Sequence, residues 1–266
     1  MKFVAVASVK SSPGVSVVAE LIALLWPDRT GPVLFDCDPA GSGWVLRPGV
    51  AVDPGVVSLA AGARRGLNGQ MIADNFQGVG ALDVLVGPAA GRQASAALRS
   101  LGADLALAMR ELPPDTDVVV ADCGRLFPGS PAYDIGRVAD HFVLVCPATA
   151  SGVVQVAPWV EDLSADGCHV ALVLAAPPPR TRHADYTAAE IANTLRVAVA
   201  GLVAHDREAA RTLHQNPGRV DRISRTPLAR SVAAITAELA RASAPGTMPH
   251  RGTATGPSLA AARSGT

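Results

Sequence analysis

Residues 4–23, VAVASVKSSPGVSVVAELIA, constrain this chain more than any other stretch. The β-branched, apolar run from Phe3 to Ala7 predicts a buried strand, and the small residues from Ser8 to Ser16 predict a loop. Val17, Val18, Leu21, Ile22, Leu24 and Leu25 then recur at the spacing of a helix's buried face. Strand, small-residue loop and helix, in that order, is the layout of a phosphate-binding loop. Its backbone N–H groups and the helix N-terminus behind them surround an anion.

The alternation continues down the chain. A strand at 32–35 runs into Asp36-Cys37-Asp38-Pro39-Ala40-Gly41-Ser42-Gly43. Asp53-Pro54 is an N-cap and first-turn signal for a short helix at 54–64, and the Gly/Asn/Gln-rich stretch 65–80 reads as irregular. A strand at 81–86 and a helical pattern at 93–112, broken at Gly102, lead to a strand at 117–121 that ends in Asp122-Cys123-Gly124. Further strands are expected at 141–146, 169–174 and 197–203, with helices at 149–163 and 186–195. A helix follows Asp206 to about Gln215, Asn216-Pro217-Gly218 breaks it, and an alanine-rich helix closes the pattern at 227–242.

The expected fold class is therefore α/β, a mostly parallel central sheet of about seven strands with helices on both faces, in one domain over 1–242. Residues 243–266 hold Pro, Gly, Ser, Thr and Ala with almost no large apolar side chains, so that tail is expected to be disordered.

Composition narrows the function classes. The 23 basic residues balance 23 acidic ones, so any contact with nucleic acid or acidic lipid must be local. The N-terminus enters the first strand at once, leaving no room for a signal peptide, and no apolar run reaches the ~18 residues of a spanning helix. A cytoplasmic protein is expected. Cys37, Cys123, Cys146 and Cys168 are widely spaced, without a C-x-x-C pair. They read as small buried hydrophobes, with a metal or redox role as the other reading.

Lys10-Ser11-Ser12-Pro13-Gly14-Val15-Ser16 resembles the deviant Walker A loop, K-G-G-x-G-K-[ST], of MinD/ParA-like P-loop ATPases. Asp36-Cys37-Asp38-Pro39-Ala40-Gly41 resembles that family's D-x-D-P-x-G switch region, and the apolar run ending in Asp122-Cys123-Gly124 its Walker B and switch II element. The segment at 201–206, GLVAHD, resembles its G-x-I-P-x-D turn. The same aspartates also read as strand-end acids capping a Pro/Gly turn, and His205 as a surface turn residue.

The resemblance implies ATP and magnesium as cofactors. Lys10 falls on the signature lysine that reaches a partner's phosphates across a dimer. Ser11, Ser12, Pro13, Gly14, Val15 and Ser16 would surround the phosphates, Gly124 would donate to the γ-phosphate, and Asp206 would border the base. Ser16, Asp36 and Asp122 would serve magnesium, and Asp38 would position the attacking water.

The loop also departs from the family. Val15 stands where the second, phosphate-binding lysine is expected, and an apolar side chain cannot neutralise charge that develops during transfer. Ser11 and Ser12 replace glycines, and Ala175-Ala176-Pro177-Pro178-Pro179 replaces the strand-end asparagine that reads adenine.

Three functions compete. One is a positioning or scaffold protein with a degenerate ATP site, acting as a homodimer that recruits a protein partner. Such a role fits polar placement of a pilus or secretion machine, or chromosome partitioning. The second is a working Mg-ATP-dependent dimerisation switch with slow ATPase activity, using Lys10, Ser16, Asp38 and Asp122. The third is a small-molecule enzyme on the related amidoligase fold. Arg219, Arg222, Arg225 and Arg230 offer a local basic cluster for nonspecific DNA, interrupted by Asp221. No strip of large apolar residues beside lysines supports direct membrane binding.

Overall fold

β1 (Lys2–Ser8) lies near the middle of a sheet whose strands run, edge to edge, as Gln77–Val79, Leu82–Leu85, Val33–Asp36, Val118–Arg125, Lys2–Ser8, His141–Pro147, Val170–Ala175 and Ala198–Val203. Phe3, Ala5 and Ala7 enter one apolar layer, while Val4 and Val6 enter the other. A strand covered on both faces needs apolar residues at every position, which is why this segment shows no alternation. The computed structural model describes residues 1–10, 14–27, 30–64, 66–178 and 186–242. The expected tail disorder at 243–266 and the loop residues Ser11, Ser12 and Pro13 lie outside the described residues.

After α1 (Val15–Leu24) come β2 (Val33–Asp36), α2 (Val56–Gly62), α3 (Gly69–Ala73), β3 (Gln77–Val79) and β4 (Leu82–Leu85). Then follow α4 (Gly91–Met109), β5 (Val118–Arg125), α5 (Pro131–Gly136), β6 (His141–Pro147), α6 (Ala150–Ala165) and β7 (Val170–Ala175). The chain continues through α7 (Ala188–Leu195), β8 (Ala198–Val203), α8 (Arg207–Gln215) and α9 (Pro227–Ala242). One face of the sheet is covered by α2 to α7, contributing Leu59, Ile72, Leu98, Ile135, Val156 and Ile191. The other is covered by α1, α8 and α9, with Val18, Ile22, Leu213, Val232 and Ile235.

The described residues form eight strands rather than about seven. The extra one, β3, pairs antiparallel with β4 at the sheet edge, inside the stretch that reads as irregular, and α3 lies there too. All the other pairs are parallel. α2 starts at Val56, later than Asp53-Pro54 suggests, because Ser58 Oγ accepts the Gly55 N–H at 2.9 Å and caps the helix there. α4 does break at Gly102, whose φ of 54° and ψ of −145° leave the helix. β5 runs on past Ala121 through Arg125, so Asp122 and Gly124 belong to the strand itself.

A buried polar network ties two segments to α1, one holding Trp44 and Arg47 and the other Gly218. Glu20 is fully buried; its Oε2 accepts from Arg47 Nη1 and its Oε1 from the Gly218 N–H at 3.0 Å. The Arg47 guanidinium lies 3.7 Å from the centre of the Trp44 ring. Burial raises Glu20 above the usual carboxylate range, and Arg47 opposes that rise.

Candidate functional site

Parallel pairing sets the C-terminal ends of β1, β2 and β5 side by side. Within that register Asp122 faces Val6 on β1 and Asp36 on β2. Sequence positions 86 apart thus become two adjacent buried carboxylates, at 3% and 1% exposure. Burial pushes Asp36 up to about 6, opposed by the Ser42 hydroxyl that donates to it. Burial and the neighbouring Asp36 push Asp122 up to about 7, opposed by hydrogen bonds from Ser16 and from the Gly124 N–H at 3.0 Å. Two acids held this way attract a cation or retain a proton.

Asp38 stands half-buried at the mouth of the same cluster. Its Oδ1 accepts the Ala40 N–H at 2.8 Å, and burial raises it. Gly124, at φ 57°, packs so closely on it that an added Cβ would lie 2.1 Å from Asp38 Cγ. Only glycine admits this approach. The Gly124 N–H is engaged by Asp122 in this arrangement.

Ser8, Gly14, Ser16, Asp38, Gly124 and Arg125 line a cavity of about 140 Å³, together with Val15 and Val17. Gly14 precedes α1 in the left-handed region, at φ 90°, and among the described residues no side chain caps the helix. First-turn amides without an intrahelical partner border the cavity, as an anion site requires. Ser8 is fully buried, and its Oγ has no hydrogen-bond partner among the described residues. An orphaned hydroxyl lining an amide-edged cavity is satisfied by an oxyanion. Val15 is 5% exposed and joins the layer of Val4, Val6 and Val18.

Two of these lining residues carry no sequence signal. Ser8 is one small residue among several, and Arg125 follows the Asp122-Cys123-Gly124 motif without belonging to it. The strand register reveals both. Arg125 is exposed at the cavity and draws Asp38 downward in pKa, placing a positive charge near the position that Val15 leaves neutral.

The other candidates are placed as follows. Lys10 is exposed just beyond β1. Asp206 caps α8, accepting the Ala209 N–H at 3.0 Å, and does not line the cavity. His205 is exposed on the preceding turn. Arg219 and Arg222 each approach Asp221 at 3.8 Å, and Arg225 and Arg230 are exposed. Cys37, Cys123 and Cys146 are buried and Cys168 half-buried, with burial raising each thiol. Among the described residues, no group of three or more His, Cys, Asp or Glu could hold a metal ion, and no helix is long and apolar enough to cross a membrane. Two carboxylates and a hydroxyl suit magnesium, which keeps several waters and takes phosphate oxygens as further ligands.

No protein-family model and no curated protein matches the sequence. Solved structures do match the fold. The cell division ATPase MinD of Pyrococcus furiosus superposes with a TM-score of 0.72 at 17% identity, covering 91% of this chain and 99% of that one. A ParA family ATPase from Chlorobium tepidum gives 0.72 at 14%, covering 89% and 97%. The septum site-determining protein MinD of Pyrococcus horikoshii, complexed with Mg-ADP, gives 0.71 at 16%, covering 92% and 99%. At these identities the likeness speaks to architecture, and the chain has the MinD/ParA-like P-loop ATPase fold.

Proposed function

We propose that this chain is a MinD/ParA-like positioning or scaffold protein that dimerises and recruits a protein partner, with an ATP site weakened at its phosphate loop. The observation that carries this reading is Val15. The family resemblance expects a phosphate-binding lysine there, and the side chain instead packs into an apolar layer. The septum site-determining and ParA-type proteins of the same fold support a positioning or partitioning role. Within that role, the finer assignment we propose is polar placement of a pilus or secretion machine, or chromosome partitioning.

A second reading, a functional Mg-ATP-dependent dimerisation switch, is favoured by the Ser8 hydroxyl and the start of α1, which have no hydrogen-bond partner and no side-chain cap among the described residues. Ser16, Asp122 and Asp36 would hold magnesium, which when bound neutralises phosphate charge. Asp38 would hold and orient a water at the cavity mouth. Lys10 would reach the partner's phosphates, and Arg125 would supply the charge that Val15 lacks.

Calorimetry with Mg-ATP and Mg-ADP, with mass followed by light scattering, separates the two. Micromolar ATP binding with a doubling of mass supports the switch. No binding at millimolar nucleotide, with a dimer in either condition, supports the scaffold. A monomer without nucleotide binding overturns both.

A further inference from the structure

A second recess, of about 790 Å³, lies between α4, residues 127–130, α5 and α6, apart from the 140 Å³ cavity. It falls within the ~300–1,000 Å³ range of ligand sites. Tyr133 and Trp159 form an aromatic wall, their ring centres 6.2 Å apart, and Phe127 stands 38% exposed at the edge. Asp134 of α5, Asp162 of α6 and Asp166, at the end of α6, contribute three carboxylates against the single positive charge of Arg99. That arginine is turned to the Gly129 carbonyl, to which its Nη1 donates at 3.2 Å, and Tyr133 donates its hydroxyl to Asp166 at 2.7 Å.

The lining also holds an unsatisfied polar group. Ser130 is 3% exposed, precedes α5 without capping it, and its Oγ has no hydrogen-bond partner among the described residues. A hydroxyl this deeply buried is usually paired, so a ligand carbonyl or amide at this spot would complete it. Carboxylates beside indole and phenol faces recognise a cation with an apolar stem, as an arginine or lysine side chain provides.

We propose that this cleft docks a segment of a protein partner that presents arginine or lysine side chains between apolar residues. A chain segment suits it better than a small cation. Pro128, Gly129, Asp134, Asp162 and Asp166 are all exposed, so a small molecule would stay wet, whereas an extended segment covers the whole recess. The assignment gives the recruitment reading above a surface and a partner chemistry, and it does not depend on nucleotide.

The test uses the full chain and a capped peptide of sequence ALRALRA, with its ALEALEA counterpart as control. Trp26 and Trp44 are 4% and 1% exposed, so Trp159 is the tryptophan whose fluorescence answers a ligand in the cleft. The arginine peptide should shift the emission saturably. The Asp134→Asn/Asp162→Asn double variant, both changes at exposed positions, should bind it roughly tenfold more weakly. Ser130→Ala should weaken it independently. Mg-nucleotide titrations of the same variants should match the unmodified chain, so failure of the nucleotide reading leaves this result standing. Absence of saturation at millimolar peptide, equal binding of the glutamate peptide, or unchanged affinity in the double variant would overturn the proposal. Arginine methyl ester binding as tightly as the peptide would overturn the assignment to a chain segment.

Discussion

Replacing Arg47 with Met tests the buried network that anchors α1 through Glu20. Arg47 is 7% exposed and neutralises a Glu20 that is fully buried. Its removal leaves a carboxylate in an apolar layer with one remaining donor, the Gly218 N–H. Breaking such a pair costs about 3–5 kcal/mol, and loss of the cation over Trp44 adds about 1 kcal/mol. A loss near 4 kcal/mol is a large share of the ~5–15 kcal/mol that holds a domain folded.

Acid should relieve part of that loss. Burial raises Glu20 in the folded state, so the folded chain takes up a proton at higher pH than the unfolded chain does. The penalty is full above the folded value and shrinks as pH falls toward the unfolded value of 4.5. Urea unfolding of Arg47→Met should therefore show its deficit near neutral pH and a smaller one at about pH 5. The Glu20→Gln/Arg47→Met double variant should recover much of it, because no charge is then stranded. A deficit under about 1 kcal/mol near neutral pH, or a double variant no more stable than the single one, would refute the reasoning.

Asp122→Asn should stabilise the protein by on the order of 2–4 kcal/mol above about pH 7, because ionisation beside Asp36 is no longer required. The gain should shrink in thermal melts as pH falls from about 7, where Asp122 itself begins to protonate, toward its ordinary value of 3.8, and magnesium-dependent binding should be lost. Val15→Lys should raise affinity for Mg-ATP in calorimetry while lowering stability by about 1–2 kcal/mol, since the lysine stem replaces buried methyl groups and its ammonium exits into the cavity. A folded variant with no gain in affinity would mean that other parts of the pocket are closed. Arg125→Ala should weaken pyrophosphate binding roughly tenfold without moving the urea midpoint, because the side chain is exposed.

What the sequence makes legible is whatever depends on local pattern. β1, β5 and β6 announce themselves as unbroken apolar runs because both of their faces are covered. Asp36, Asp38, Asp122 and Gly124 stand out because strand-end residues follow such runs at fixed offsets. The Gly102 break is visible because glycine is a poor helix former. β3 is too short for any period, and it exists through pairing with β4. α5 spans six residues around Pro131 and has too few turns to display a face. The Glu20–Arg47–Gly218 network is hidden because its members meet only through folding. Ser8, Arg125 and the acidic cleft are hidden for the same reason: ordinary residues whose meaning comes from register and from neighbouring helices.

The end of β5 and the residues after it run from one recess to the other. Gly124 and Arg125 border the 140 Å³ cavity, and Phe127 to Ser130 border the acidic cleft. Between them Leu126 is buried, and its N–H is held by the Ser8 carbonyl at 2.8 Å. The two sites therefore share one stretch of backbone with a single buried anchor between them. If a guest at one site shifted that stretch, thermodynamic reciprocity would require each guest to change the other's affinity by the same factor.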